Sequence, residues 1–111
     1  MRKSGWAWLL LLLTVTIINY PNPFDPQAGE FVTFECAATA SLETSLLIYD
    51  LSARLIARKP FPLAPTSYNR TTWNGYSDGN ELAGPGVYLY RLVATATNKS
   101  IGKGKVWIIN R

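Results

Sequence analysis

Asp78, Asn80 and Glu81 place three oxygen-bearing side chains close together, the kind of cluster that can hold a divalent cation. Their spacing does not match a helix–loop–helix calcium loop, and Asp78-Gly79-Asn80 is an ordinary hairpin turn, so turn formation is the expected role. Asp50 and Arg54 are four apart and could form a binding pair; Asp50 is expected to cap a turn, with Arg54 solvated or paired to it. The sequence has no histidine, which removes the commonest general base and metal ligand. A single cysteine, Cys36, excludes an internal disulfide and any cysteine-based metal site, and a small buried side chain is its expected role. No nucleophile–base pair, phosphate loop or carboxylate dyad can be assembled. The expectation is a non-enzymatic protein with no catalytic residue, no cofactor and no metal. What remains is a recognition surface: Tyr88, Tyr90 and Trp107 with Lys103 and Lys105 are the candidate partner contacts, although strand alternation sends at least half of the aromatics inward.

The elements that would position these residues are set by the rest of the chain. A length of 111 residues bounds one domain plus an appendage. Apolar residues make up 48 % and charged residues only 16 %, below the roughly 25 % usual for a soluble domain, and the apolar N-terminus accounts for part of the deficit. The net charge of +4 is modest. Lys99, Lys103, Lys105 and Arg111 cluster near the C-terminus, where lysines commonly guard a sheet edge.

After the basic start Met1-Arg2-Lys3, the thirteen residues Trp6 to Ile18 contain no charge and no helix breaker. As a signal peptide this segment has a basic n-region and a suitable apolar run, but no small-x-small cleavage site follows. As a membrane anchor, a helix over residues 4–18 is about 22 Å long against a roughly 30 Å hydrocarbon core. Trp6, Trp8, Leu9, Leu10, Leu11, Leu12, Leu13, Val15, Ile17 and Ile18 would form the anchor, with Arg2 and Lys3 snorkelling to offset the shortfall. The basic N-terminus then stays cytoplasmic and the domain lies on the periplasmic side by the positive-inside rule.

Asn19-Tyr20-Pro21-Asn22-Pro23-Phe24 separates this segment from the β-rich remainder. Pro21 and Pro23 lock φ and remove N–H donors, so the hexapeptide is expected to be a stiff extended strap, pinned onto a sheet by Tyr20 and Phe24 and coupling anchor to domain. Beyond it come alternating runs. Val32, Phe34 and Cys36 share one face of a strand over 31–37, and Leu46 and Ile48 point inward from a strand over 44–51. A short strand is expected at 55–57, then a proline-rich crossover at 58–69 and a strand from Arg70 to Trp73. The longest strand is expected over 87–96, with Val87, Leu89, Arg91 and Val93 opposite Tyr88, Tyr90, Leu92 and Ala94, and the last over 105–110. Six or seven short strands with a turn every 8–12 residues predict an all-β, immunoglobulin-like antiparallel β-sandwich over residues 19–111, preceded by an N-terminal hydrophobic helix over 1–18.

Several of these stretches occur together in a known order. The strap, Ile48-Tyr49-Asp50-Leu51 with Arg54, Trp73-Asn74-Gly75 with Asp78-Gly79, Leu82-Ala83 with Gly86-Val87-Tyr88, Tyr90-Arg91-Leu92 and a lysine-rich final strand resemble the C-terminal sorting domains of type IX secretion cargo and the related immunoglobulin-like domain of flagellar hook-capping proteins. Ala53 stands where that family's turn carries glycine before the arginine. The resemblance implies a bacterial protein and the sandwich fold over residues 19–111. Asn69-Arg70-Thr71 and Asn98-Lys99-Ser100, which match a glycosylation pattern, carry little weight in that setting.

The leading expectation is a single-pass protein of the bacterial cytoplasmic membrane, an accessory or scaffolding subunit that docks its sandwich on the periplasmic side of a larger membrane protein complex, with no nucleic-acid partner. The alternative is a type IX secretion-related sorting or cell-surface attachment module with a cleaved signal peptide. A hook-capping-like scaffold is the third reading.

Overall fold

The computed structural model describes residues 14–111. Seven strands run β1 (Ile17–Tyr20), β2 (Val32–Cys36), β3 (Thr44–Tyr49), β4 (Leu55–Pro60), β5 (Asn69–Trp73), β6 (Gly86–Ala94) and β7 (Lys99–Ile108). They form two antiparallel sheets, one in the order β1-β2-β5 and the other in the order β4-β3-β6-β7. The alternation in the sequence explains the layering. Val32, Phe34 and Cys36 from one sheet, and Leu46, Ile48, Tyr90 and Leu92 from the other, are buried between the two. Aromatic rings fill the interior edge-on: Phe24 against Trp73 at 5.9 Å, Trp73 against Tyr88 at 5.9 Å, and Phe34 against Tyr90 at 4.8 Å between centroids. Such pairs contribute about 0.5–1.5 kcal/mol each beyond the area they bury.

Tyr88, near the start of β6, donates its hydroxyl to the carbonyl of Gly84 at 2.7 Å. A tyrosine bonded back to the chain just upstream of this strand is the corner device of immunoglobulin-like sandwiches. Trp73 is likewise satisfied while buried, its indole N–H reaching the Tyr76 carbonyl at 2.8 Å.

The N-terminal boundary differs from expectation. A helix continuing through residue 18 is not what forms: Ile17 and Ile18 lie in β1, paired with Cys36 and Glu35, and the Val15 N–H donates to the Ile101 carbonyl at 2.8 Å. The run Thr14-Val15-Thr16-Ile17-Ile18 is β-branched throughout, and such side chains suit a half-buried sheet better than a helix. The sandwich therefore begins near Val15, ahead of the strap, and Val15 and Ile17 pack against the core instead of serving an anchor. The remaining anchor residues, Trp6, Trp8 and Leu9 to Leu13, lie outside the described residues. Among the described residues no helix is long and apolar enough to cross a membrane.

The strap is divided in its work. Tyr20 belongs to β1 and stays exposed, while Phe24 is fully buried and is the true pin. Both Tyr20–Pro21 and Asn22–Pro23 peptide bonds are cis. The segment passes from the first sheet to the second: the Phe24 N–H donates to the Trp107 carbonyl, and the Phe24 carbonyl accepts from the Ile109 N–H, both at 3.0 Å. Between these points Asn19 accepts the Tyr90 hydroxyl at 2.8 Å and donates to the Lys105 carbonyl at 3.0 Å, and the Asn22 side chain accepts the Trp107 N–H at 2.9 Å. Residues 15–24 thus close one side of the sandwich along the outer edge of β7.

That closure explains why the last strand starts at Lys99 and not at Lys105. Gly102 and Gly104 weaken the strand pattern in the sequence, because glycine has no side chain to pack on a sheet. In three dimensions they make room. A Cβ on Gly102 would stand 2.9 Å from Ile17 Cδ1, and one on Gly104 would stand 2.9 Å from Cε2 of the buried Tyr90. A bulge between Leu92 and Val93 accommodates the extra residue Ile101, whose side chain is buried. The fourth strand is also longer than expected and reaches Pro60, which is tolerated because β4 is an edge strand. Asp78 caps that edge, its N–H donating to the Ile56 carbonyl and its carboxylate accepting the Arg58 N–H, both at 3.0 Å.

A chain beginning at Asn19 is expected to be less stable than one beginning at Thr14 by roughly 2–4 kcal/mol. It loses the half-buried Val15 and Ile17, at about 1 kcal/mol each in apolar transfer, and leaves part of β2 unpaired. Urea denaturation of the two chains measures the difference, and equal midpoints would show that β1 contributes nothing.

Candidate functional site

Because β-strand side chains alternate, each sheet presents an outer face, and the two outer faces are chemically different. On the three-stranded sheet, one residue from each strand forms a self-satisfied set. Glu35 Oε1 accepts the Tyr20 hydroxyl at 2.6 Å and the Arg70 Nε–H at 2.9 Å, and the Arg70 guanidinium also lies over the Tyr68 ring at 5.2 Å. The Tyr20 hydrogen bond first, and the Arg70 bond after it, hold the Glu35 carboxyl below its ordinary value. This face has no charge left over.

The four-stranded sheet is the opposite case. Tyr49 on β3 faces Leu89 on β6, Leu89 faces Lys105 on β7, Arg91 faces both Leu47 and Lys103, and Val87 faces Trp107. Leu89 is 38 % exposed and Trp107 50 % exposed. An open groove of about 670 Å3 runs over Tyr49, Ala53, Leu89, Arg91, Lys103 and Lys105. Arg91 is held in place by Tyr49, with its guanidinium 5.6 Å above the ring and one N–H donating to the hydroxyl at 3.2 Å. A guanidinium pre-ordered by stacking keeps further N–H groups that a planar anion can accept from. Directly opposed like charges such as Arg91 and Lys103 cost a sheet a few tenths to 1 kcal/mol, so roughly that much is recovered when an anion sits between them.

Of the sequence candidates, the fold brings Trp107, Lys103 and Lys105 onto this one surface. It places Tyr88 and Tyr90 in the core, 8 % and 1 % exposed, where their rings cannot meet a partner. Burial pushes the Tyr90 hydroxyl up to about 12 and raises that of Tyr88. The sequence put Leu89 and Arg91 on one strand face and Tyr88 and Tyr90 on the other without deciding which face points inward. Tyr49 follows as outward-facing from Ile48 by strand alternation, and only the folded structure shows that it underlies Arg91, its diagonal neighbour.

The remaining candidate side chains serve the fold. Asp50 Oδ1 accepts the N–H groups of Ser52 and Arg54 at 2.9 Å each, and its Oδ2 accepts the Arg54 Nε–H at 3.1 Å. Those bonds, led by the Arg54 N–H, hold its carboxyl below the ordinary value. Cys36 is buried, which pushes its thiol up and away from reactivity. Asn69, first residue of a glycosylation pattern, is buried with its amide bonded to Ala64 and Thr66 backbone groups, so it is not available to a transferase. Asp25 caps the short 3-10 helix Pro26–Ala28 and also accepts the Arg111 N–H at 3.1 Å, while Glu30 pairs with the Arg111 guanidinium at 3.1 Å. The Asp25 N–H and then Arg111 hold the Glu30 carboxyl low.

Comparison with solved structures gives the fold a context. The sandwich is similar to domains within two much larger proteins. The first is dimeric latent PorU from Porphyromonas gingivalis, with 25 % identity, a TM-score of 0.69 and 86 % of this chain covered. The second is PorZ, described as an essential bacterial surface component of the type IX secretion system of the same organism, with 24 % identity, a TM-score of 0.59 and 85 % coverage. This chain spans only 9 % of the PorU chain and 11 % of the PorZ chain. The alkylpurine DNA glycosylase AlkC from Pseudomonas fluorescens shares the fold alone, at 16 % identity, a TM-score of 0.52, and coverage of 85 % of this chain and 29 % of its own. No family model and no curated protein sequence matches.

The local chemistry sets two expected outcomes. Ala53 holds a φ of 66°, the left-handed region that costs a non-glycine residue roughly 1–2 kcal/mol. Ala53→Gly is expected to raise stability by about 0.5–1 kcal/mol after the entropy glycine adds to the unfolded chain, measurable as a higher thermal midpoint. Glu30, Glu35 and Asp50 all have folded values below their ordinary 4.5, 4.5 and 3.8. Their contribution is therefore present above those values and is lost as pH falls through the lowered ones. Urea midpoints taken from about pH 6 downward should decline below about pH 4.5, and Glu35→Gln should flatten that decline while lowering the neutral-pH midpoint.

Proposed function

We propose that this chain is a non-enzymatic, secretion-related recognition module, an immunoglobulin-like sandwich of the kind appended to proteins of the type IX secretion system. The observation that carries the reading is the paired likeness to PorU, at 25 % identity over 86 % of the chain, and to PorZ, the type IX secretion surface component, at 24 % over 85 %. The sequence resemblance to type IX sorting domains, met along residues 19–111, points the same way. With Val15 to Ile18 committed to the sandwich, the uncharged run ahead of it shortens to residues 4–14. As a helix those residues would be about 16 Å long, short of the roughly 30 Å of a bilayer core but within the range of a signal-peptide apolar region. An exported chain presented at the cell surface is the function this combination favours.

The basic residues Arg2 and Lys3 ahead of Trp6 and Trp8 support a second reading, in which the segment is retained and the sandwich serves as an accessory subunit on the periplasmic side of a larger complex in the cytoplasmic membrane. One experiment separates the two. The native protein is followed by cell fractionation and intact mass in a type IX-competent bacterium and in a strain lacking that system. The export reading expects a surface-located chain trimmed upstream of Val15 in the first strain, and periplasmic retention in the second. A full-length chain beginning at Met1, co-fractionating with the cytoplasmic membrane in both strains, would overturn it in favour of the accessory subunit.

A further inference from the structure

We infer that the outer face of the four-stranded sheet is a docking surface for an acidic, aliphatic segment of another protein. The inference rests on the non-enzymatic recognition reading and names the surface and partner chemistry that reading leaves open. Three observations converge on it. First, basic side chains without an ion pair gather on this face. Among the described residues Arg54, Arg70 and Arg111 are in ion pairs, whereas Arg91, Lys103 and Lys105 are in none and lie together on this face. Arg91 stands directly across from Lys103, a juxtaposition that an anionic partner relieves.

Second, the face between these charges is apolar and partly ordered. Tyr49 and Leu89 are cross-strand neighbours lining the groove, Trp107 is half exposed on the same strand as Lys105, and Arg91 is pinned on Tyr49. A lining of one leucine, with the tyrosine already covered by its own arginine, suits aliphatic side chains and offers few free aromatic faces for stacking bases. Third, the occupant is not a second copy of this chain. Glu30, Glu35 and Asp50 are in ion pairs, Asp25 is buried and Asp78 accepts the Arg58 N–H, so among the described residues only Glu43 and Glu81, on separate loops, remain to oppose a basic face. The edges of the four-stranded sheet are poor alternatives, since residues 15–24 cover β7 and Asp78 covers β4.

The test titrates the 15N-labelled full chain in micelles with a peptide of alternating glutamate and valine, and in parallel with poly-aspartate, sulfated dextran and duplex DNA. Amide shifts confined to 47–49, 89–91 and 103–107 are expected for the peptide, with affinity about tenfold weaker in the K103E/K105E variant. Leu89→Ser should weaken peptide binding several-fold while leaving poly-aspartate binding unchanged, which separates a specific groove from general polyanion attraction. Thermal midpoints of the variants confirm that the fold is intact. Absence of shifts on this face would overturn the proposal, as would equal binding of all four probes or tighter binding of dextran or DNA. Because the readout needs no secretion, its failure with normal surface export would refute the docking face alone, and binding without export would refute the secretion role alone.

Discussion

The fold depends on a seam. Two sheets that bury only one face each still leave an opening where the first strand of one meets the last strand of the other. Here the opening is closed by residues 15–24, which leave the three-stranded sheet at Tyr20 and join the edge of β7 at Phe24. The contact is close because Gly102 and Gly104 carry no side chains where Ile17 and the Tyr90 ring must lie. Asn19 sits at the middle of the seam and satisfies both the buried Tyr90 hydroxyl and a β7 carbonyl. Each buried polar atom on this path therefore has a partner, as a core without water requires.

Closing the seam this way has consequences at both ends of the chain. The apolar N-terminal run is shared between the sandwich and whatever precedes it, so the same β-branched residues that lengthen the run in the sequence end it in space. At the other end Arg111 is tied to the 25–30 turn through Asp25 and Glu30, so the final strand is fixed beyond its last sheet hydrogen bond. The edges of the four-stranded sheet are largely covered, and its exposed outer face remains as the surface proposed for recognition. The contrast between the outer faces carries that conclusion: Tyr20, Glu35 and Arg70 neutralise one another, whereas Arg91, Lys103 and Lys105 have no such counter-charge.

The sequence alone determined the layered β architecture and most of its inward residues. Val32, Phe34, Cys36, Leu46 and Ile48 were legible because a strand's period of two leaves no freedom in which side chains share a face. The Asp50–Arg54 turn was equally legible, since an aspartate that caps its own turn acts within a few residues. Tertiary structure alone decided the long-range matters. Val15 to Ile18 read as helix until β2 and β7 were present to pair with them, and glycine disguised the start of β7 until Tyr90 and Ile17 filled the space it left. Tyr88 and Tyr90 looked like surface candidates by residue type, yet burial between the sheets removes them, and cross-strand register brings Tyr49, Leu89 and Arg91 to Lys103 and Lys105 instead. The physical reason is common to all of these: periodicity fixes which face a residue takes, but only pairing between distant strands fixes what stands beside it.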